Sequence, residues 1–405
     1  MKPVFAALLG AALVVPSVLF AQEGPLTLQE ALGIARARAA QVLAATGRVE
    51  EARARLFPAA QRFRDNPVVE IGGGRRQAEK TFTDYELAVS QGFEPAARRR
   101  ARVAGAQAAV EAAEAGLEDT RRLYLGEAVA AFFRTVAAQE RSRLSAETVS
   151  LTGDLLKTIE RRYEMGEITA LDLNRARIAA ARAQAEQSAA EGERLGRAGD
   201  LRALLGLDPG ESLSLTGALR ELPAYELDAL LARAAERTDL EALAAETREA
   251  EAQARLGEAL ARPDFALRTG YQREEGADVV SAGVAISLPF FQRGQEERAV
   301  GQARAASLRA QLEARRRASQ AEVRAAFEAY RRRVQAVEEL ERTALPAIED
   351  NQALAQRSFE VGEIDLGDLL LIRREILETR LSHLDLTLEA RLAAVELETR
   401  AGVSR

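Results

Sequence analysis

Residues 161–177 read RRYEMGEITALDLNRAR and residues 357–373 read RSFEVGEIDLGDLLLIR, so one unusual turn occurs twice in a chain of 405 residues. In both, an apolar residue and a glycine interrupt a helical stretch, and a second helical stretch follows at once. A glycine just past a helix end is an ordinary C-terminal stop, because it accepts the left-handed backbone that other residues resist. Thr169-x-x-Asp172 and Asp365-x-x-Asp368 then read as capping boxes that open the returning helices. A turn this specific, repeated half a chain apart, marks a tandem duplication.

Outward from the turns, helical periodicity rich in Ala, Arg, Glu and Leu covers residues 27–62, 96–164, 168–205, 227–261, 295–361 and 365–400. In the last stretch Leu366, Leu370, Leu377, Leu381, Leu384, Leu388, Leu392 and Val395 recur at three, four or seven, which predicts one apolar stripe. Elsewhere the stripe is mostly alanine. Small side chains permit close approach but bury little area, so such helices need long contacts with several neighbours. Residues 96–163 would make a rod of roughly 100 Å. The return is predicted as two shorter helices end to end, Thr169–Leu205 and Leu227–Ala261, broken by GLDPGESLSLTGALRELP. Pro346 is expected to kink the second long helix through its missing amide.

Between the helices lie NPVVEIGGGRRQ (66–77), TFTDYELAVSQGF (81–93), RPDFALRTGYQR (262–273) and DVVSAGVAISLPFF (278–291). Tyr85, Leu87 and Val89 alternate with Asp84, Glu86 and Ser90, and Phe265, Leu267 and Tyr271 alternate with Arg268 and Gln272. A period of two over about 10 residues suits a tilted strand crossing a bilayer, apolar toward lipid and polar toward a lumen. Two soluble hairpins with one buried face give the same alternation. Gly72, Gly73 and Gly74 break the pattern of the first segment and suggest a bend there. Four strands cannot close a membrane barrel, and lipid does not tolerate open sheet edges, so a spanning sheet needs strands from other copies. Three copies would supply twelve. The same trimer would gather the helices into a tube and bury their alanine faces.

Composition bounds the rest. Residues 1–21 carry Lys2, an apolar run from Val4 to Phe20 and a small residue before Gln22, which predicts a removable export signal. Gly10 and Pro16 interrupt its core, which is short for a membrane anchor. There is no cysteine, hence no disulfide framework and no lipid-bearing cysteine behind the signal. With one histidine and no tryptophan, the chain has few groups for metals, nucleophiles or proton transfer, so neither an enzyme nor a cofactor or metal site is expected. The net charge of −6 comes from 62 acidic and 56 basic residues, well mixed, and leaves no footprint for nucleic acid. The organisation read from these features is a signal (1–21), a first repeat (22–208, strands within 66–93), a linker (209–226) and a second repeat (227–405, strands within 262–291). The fold class is mainly α with a small β part.

Taken together, the YEMGEI and FEVGEI turns, Asn66-Pro67 before the first strand, SLPFF (287–291) closing the fourth, ALPAIED around Pro346 and the duplicated element order resemble the TolC-like outer-membrane efflux proteins, also called outer membrane factors. The resemblance covers essentially all of the chain after the signal. It implies a homotrimer with a twelve-stranded barrel in the outer membrane and a helical tunnel in the periplasm. It also implies a periplasmic adaptor (membrane fusion) protein and an inner-membrane pump of RND or ABC type as partners, and a function as the exit duct of a tripartite efflux system. At residue level it implies that Met165, Gly166, Glu167, Val361, Gly362 and Glu363 meet the adaptor, and that Asp172 and Asp368 line the aperture. Two positions depart from the pattern: Leu371 replaces a second acidic ring and Ile364 a basic residue, so the gate is expected either to be less acidic or to be tied by other contacts such as Arg175 or Arg373. Among other features, Arg98–Arg100 read as a solvated or lumen-facing cluster, with contact to anionic head groups as the alternative, and His383 reads as incidental. Gly72–Gly74 with Arg75 and Arg76 lacks the Lys-Ser/Thr and helix of a phosphate loop. The competing readings are a periplasmic adaptor, with one hairpin between compact β modules, and a coiled-coil scaffold, which leaves the strands unexplained.

Overall fold

The computed structural model describes residues 25–77, 81–208, 210 and 213–403; the signal and parts of the linker lie outside the described residues. The order is α1 (Leu28–Arg38), α2 (Ala40–Ala60), β1 (Val68–Gln77), β2 (Thr81–Phe93), α3 (Ala96–Glu164), α4 (Ala170–Leu205), α5 (Leu227–Ala235), α6 (Thr238–Leu260), β3 (Asp264–Glu274), β4 (Ala277–Ser287), α7 (Gln295–Glu339), a π-helical turn (Leu340–Ala344), α8 (Leu345–Glu360) and α9 (Leu366–Arg400). Each half thus runs helix pair, β-hairpin, rod, turn, helix.

The helices lie side by side. Toward the sheet the lateral order is α2, α3, α6, α7; toward the turns it is α4, α3, α9, α8. The rod α3 is therefore interior at both ends, and α4 and α8 are left as edges. At mid-length Phe132 and Phe133 cross edge-on at 5.6 Å and 89° and anchor the largest core, with Leu32 and Ala35 of α1 and Leu201 and Leu205 of α4. A second core near the turns joins Leu155, Ile159, Leu173, Leu366 and Leu369.

Three helical expectations change. The helix over 27–62 is two, because Ala39 is extended (φ −60°, ψ 113°) and turns α1 across the waist of the rods. The helix over 227–261 breaks at Glu236–Arg237, where the Arg237 side chain is drawn inward to Asp239 and the Arg400 carbonyl. Pro346 follows a widened π turn and sits in the first turn of α8, where its missing amide costs little. In α9 Leu366, Leu384 and Val395 of the expected stripe are buried, together with Leu369, Ile376, His383, Thr387, Ala390 and Leu397; Leu370, Leu377, Leu381 and Leu388 flank them, half-buried, because the helix packs on several neighbours rather than one.

The four strands form one antiparallel sheet in the order β1, β2, β3, β4, and β2 with β3 joins the two halves of the chain. Contrary to the expected bend, β1 runs unbroken through Gly72–Gly74, paired with Glu86, Tyr85 and Asp84. The ladder fixes its path; the missing side chains alter only what it presents. The fourth strand ends at Ser287, leaving Leu288–Phe291 outside the sheet.

Candidate functional site

Register decides what each face of the sheet presents. Val69 pairs with Val89, Ile71 with Leu87, Leu87 with Tyr271, Phe93 with Phe265, and Leu267 with Val284, so all of these share one face. The other face carries Glu70, Asp84, Glu86, Arg268 and Gln272. There Arg268 Nη2 donates to Glu70 Oε2 at 2.8 Å and Glu86 Oε1 at 3.1 Å, tying three strands. No helix packs on either face. Ile71 is 82% exposed, and the outer edges of β1 and β4 are unpaired within the chain. A soluble hairpin pair would bury one face; this sheet buries neither. Aromatic residues mark both ends of the apolar face: Tyr85 and Tyr271 at one, Phe93 and Phe265 at the other, where Phe63 packs edge-on against Phe93 at 5.8 Å. That is the pattern of a lipid-facing β-surface.

Two arginines one turn apart fasten the sheet to the rods. Arg98 Nη1 reaches both carboxylate oxygens of Asp264 (2.5 and 2.6 Å), and the same guanidinium donates to the carbonyls of Ala259 (3.1 Å), Leu260 (3.2 Å) and Arg262 (2.5 Å). Arg102 holds Glu94 at 2.7 Å and donates to the Ala59 carbonyl at 3.2 Å. Each thus closes the C-terminal end of a helix that feeds a strand, α6 or α2. Arg98 is therefore not part of a solvated cluster, its side chain being 12% exposed.

At the far end the two turns have the same geometry. Gly166 has φ +75° and Gly362 φ +81°. Glu167 N donates to Arg162 O and Gly166 N to Tyr163 O, both at 2.9 Å; Glu363 N donates to Ser358 O (2.8 Å) and Gly362 N to Phe359 O (3.2 Å). These are paired Schellman closures. Met165, Gly166, Glu167, Val361, Gly362 and Glu363 are all exposed, and no atom lies within 4 Å of where a Cβ would stand on either glycine. Ile168 and Ile364 instead fold back onto the core beneath.

The aspartates differ from each other. Thr169 and Asp172 form a complete capping box, Thr169 Oγ1 donating to Asp172 Oδ2 at 2.6 Å. In the second turn Asp365 caps the Asp368 amide at 2.9 Å, but the reciprocal bond is absent, so only half of the expected box exists and the Asp368 carboxylate has no protein partner among the described residues. Arg175 lies 3.9 Å from Asp172, with its Nη1 3.4 Å from where a Cβ on Gly367, the residue before Asp368, would stand. Arg373 spans the hairpins, donating to Leu151 O (3.1 Å) and Gln356 Oε1 (2.7 Å), and its burial pushes its pKa down. Arg380 adds Gln352 at 2.8 Å, and Arg162 lies 6.0 Å over the Phe359 ring. Between the hairpins these side chains line a groove of about 1310 Å³.

His383 is not incidental. It is buried, with Nε2 3.1 Å from Glu341 Oε1, and so fastens α9 to the π turn. Its partner is 42 residues away on another helix, so no local pattern announces the contact. Among the described residues no three His, Cys, Asp or Glu side chains gather as a metal site, and no helix is long and apolar enough to cross a membrane.

The family model described as outer membrane efflux protein matches residues 27–207 and 231–403. Two curated relatives are the cobalt-zinc-cadmium resistance protein CzcC of Cupriavidus metallidurans, 26% identical over 67% of this chain, and the nickel-cobalt-cadmium resistance protein NccC of Alcaligenes xylosoxydans xylosoxydans, 27% identical over 71%. The match spans 65% of the length of each. Among solved structures, the outer-membrane channel OprN aligns at TM-score 0.76 and 21% identity over 93% of this chain and 90% of its own. The open-state MtrE outer membrane channel of Neisseria gonorrhoeae aligns at 0.76 and 17% over 93% and 88%.

Proposed function

The chain belongs to the outer membrane efflux protein family, and on that premise we propose that it is the outer-membrane exit duct of a tripartite efflux system. Three copies close the open sheet edges into a barrel, and their helices form the tunnel that continues it into the periplasm. The exposed turns Met165–Glu167 and Val361–Glu363 receive a periplasmic adaptor, and an inner-membrane pump of the RND or ABC type supplies the energy. The repeats over 22–208 and 227–405 each contribute one hairpin of strands and one hairpin of helices. Asp172 and Asp368 face the aperture, with Arg175 close to Asp172 and Arg373 holding one hairpin against the other. No bond is made or broken; the chain guides and gates.

The observation that carries this reading is the uncovered sheet, apolar on one face and charged on the other, at the end of the rods opposite two matching turns. An adaptor or scaffold gives no reason for such a sheet. Purified protein in a planar bilayer is expected to conduct ions with a preference for cations, and a bilayer that stays silent at saturating protein would contradict the proposal.

The two metal-resistance relatives suggest the cargo. We assign divalent transition-metal cations such as cobalt, zinc or cadmium, because an unpartnered Asp368 beside the aperture would favour cations over anionic or bulky apolar substrates. Cells lacking this chain are expected to retain more of these ions, measured by elemental analysis. Unchanged metal content with impaired export of organic compounds would reassign the cargo.

A further inference from the structure

The antiparallel order brings four strand ends to one rim, the start of β1 and β3 and the end of β2 and β4, where the chain passes into the rods. The connectors at this rim and the first turn of α3 carry Arg62, Arg64, Arg99, Arg100, Arg262 and Arg293, and none of these has a carboxylate partner among the described residues. Of the acids at this rim, Glu94 is taken by Arg102, Asp264 by Arg98 and Glu258 by Arg298, while Asp65 and, in the first turn of α7, Glu296 and Glu297 stay exposed, so the six free arginines outnumber three free acids. The opposite rim is built otherwise. There Arg76 is bound by Asp84, Glu274 and Glu275, and Arg273 lies 3.8 Å from Asp278. The positive surplus belongs to the rod-side rim.

That rim is also where large apolar side chains stand without cover. Phe57, Phe63, Leu288 and Phe290 are exposed, and Phe291 is 91% exposed. Phe63 touches Phe93, so this fringe is continuous with the apolar face of the sheet. Aromatic rings beside guanidinium groups match the headgroup level of a bilayer: the rings enter the acyl boundary, and the planar fork of arginine takes phosphate oxygens in pairs.

We infer that the rod-side rim binds the anionic phospholipid headgroups of the membrane leaflet nearer the tunnel, with Arg62, Arg64, Arg262 and Arg293 as its cationic part. Continuity with the apolar face favours lipid over an acidic protein, since a protein docked there would meet the bilayer on one side. The inference rests on the membrane-spanning reading of the sheet. Arginines near an anionic surface each add a modest attraction, so several together select phosphatidylglycerol over phosphatidylcholine by about tenfold.

The test equilibrates the full chain in detergent with equal amounts of phosphatidylglycerol and phosphatidylcholine of matched acyl chains, and reads the bound lipid by native mass spectrometry. Phosphatidylglycerol adducts are expected to dominate, to fall with added salt, and to fall several-fold in Arg62→Gln/Arg64→Gln/Arg262→Gln/Arg293→Gln. Arg75→Gln at the opposite rim should leave them unchanged. Equal adducts of both lipids in the unaltered protein would overturn the inference, and binding of polyglutamate under those conditions would hand the arginines to an acidic protein. Failure of the chain to insert into liposomes would sink the channel reading itself, whereas insertion without headgroup preference would sink only this inference.

Discussion

Gly166 and Gly362 hold a backbone that any other L-residue adopts at a cost of about 1–2 kcal/mol, and neither has a neighbour that a side chain would strike. Replacing both by leucine should therefore leave the helices folded while changing the shape of both tips. We expect Gly166→Leu/Gly362→Leu to remain in the outer membrane as trimers and to lose export, checked by membrane fractionation and a transport assay on the same cells. The aspartates separate in the same way. Asp365 is the helix cap, so Asp365→Ala should cost about 1 kcal/mol, whereas Asp368→Asn removes a carboxylate that holds nothing and should leave thermal stability within about 0.5 kcal/mol. If Asp368 lines the aperture, that substitution also lowers cation selectivity in a planar bilayer. Glycine stops and the Thr169 box were legible in the sequence because their partners lie within five residues. Arg98 with Asp264 and His383 with Glu341 were not, because each partner is brought up by the fold from another element.

For the elements, the rods and strands could be read from periodicity, and the breaks between them could not. Ala39 and Arg237 are neither glycine nor proline; what bends the chain there is the gain from packing α1 across the waist and from seating Arg237 inside. The Arg237 side chain is 2% exposed and is held by Asp239 at 2.8 Å, with Glu322 at 3.5 Å. Losing its main partner leaves a buried charge, so Asp239→Asn should destabilise the protein by about 3 kcal/mol, read as a lower unfolding temperature by circular dichroism. Burial pushes the Asp239 carboxyl upward, but Arg237 and Arg315 outweigh it and hold the group below its ordinary value of 3.8. A carboxyl lowered in the folded state contributes stability above the unfolded pKa and loses it as pH falls through the folded one. The unaltered protein should therefore lose stability as pH drops below about 4, and Asp239→Asn should lose less across that window. The register of the sheet was legible only in part: alternation in β2 and β3 marked the two faces, while the glycines of β1 hid a strand that its neighbour's ladder makes regular.

On the scale of the whole molecule, one copy leaves surfaces that call for others. The sheet has two unpaired edges and an apolar face in the open. The edge helices show exposed apolar residues, Leu171 and Ile178 seven apart on α4, the spacing of a coiled-coil seam, and Leu354 on α8. Ile178→Asp with Leu354→Asp places charge in such a seam from both sides and is expected to yield particles smaller than the native assembly by size-exclusion chromatography. The rods, the four strands and the two matching turns were all visible in the sequence, because length and spacing are global properties. Which helix is interior and which is an edge was not, since that depends on contacts between alanine faces that look alike. The most direct test is the protein mass of the detergent-extracted particle, corrected for bound detergent by multi-angle light scattering. The account predicts three chains in a single species recovered from the outer membrane. A monodisperse, folded single chain would contradict it, because no one copy can close the barrel.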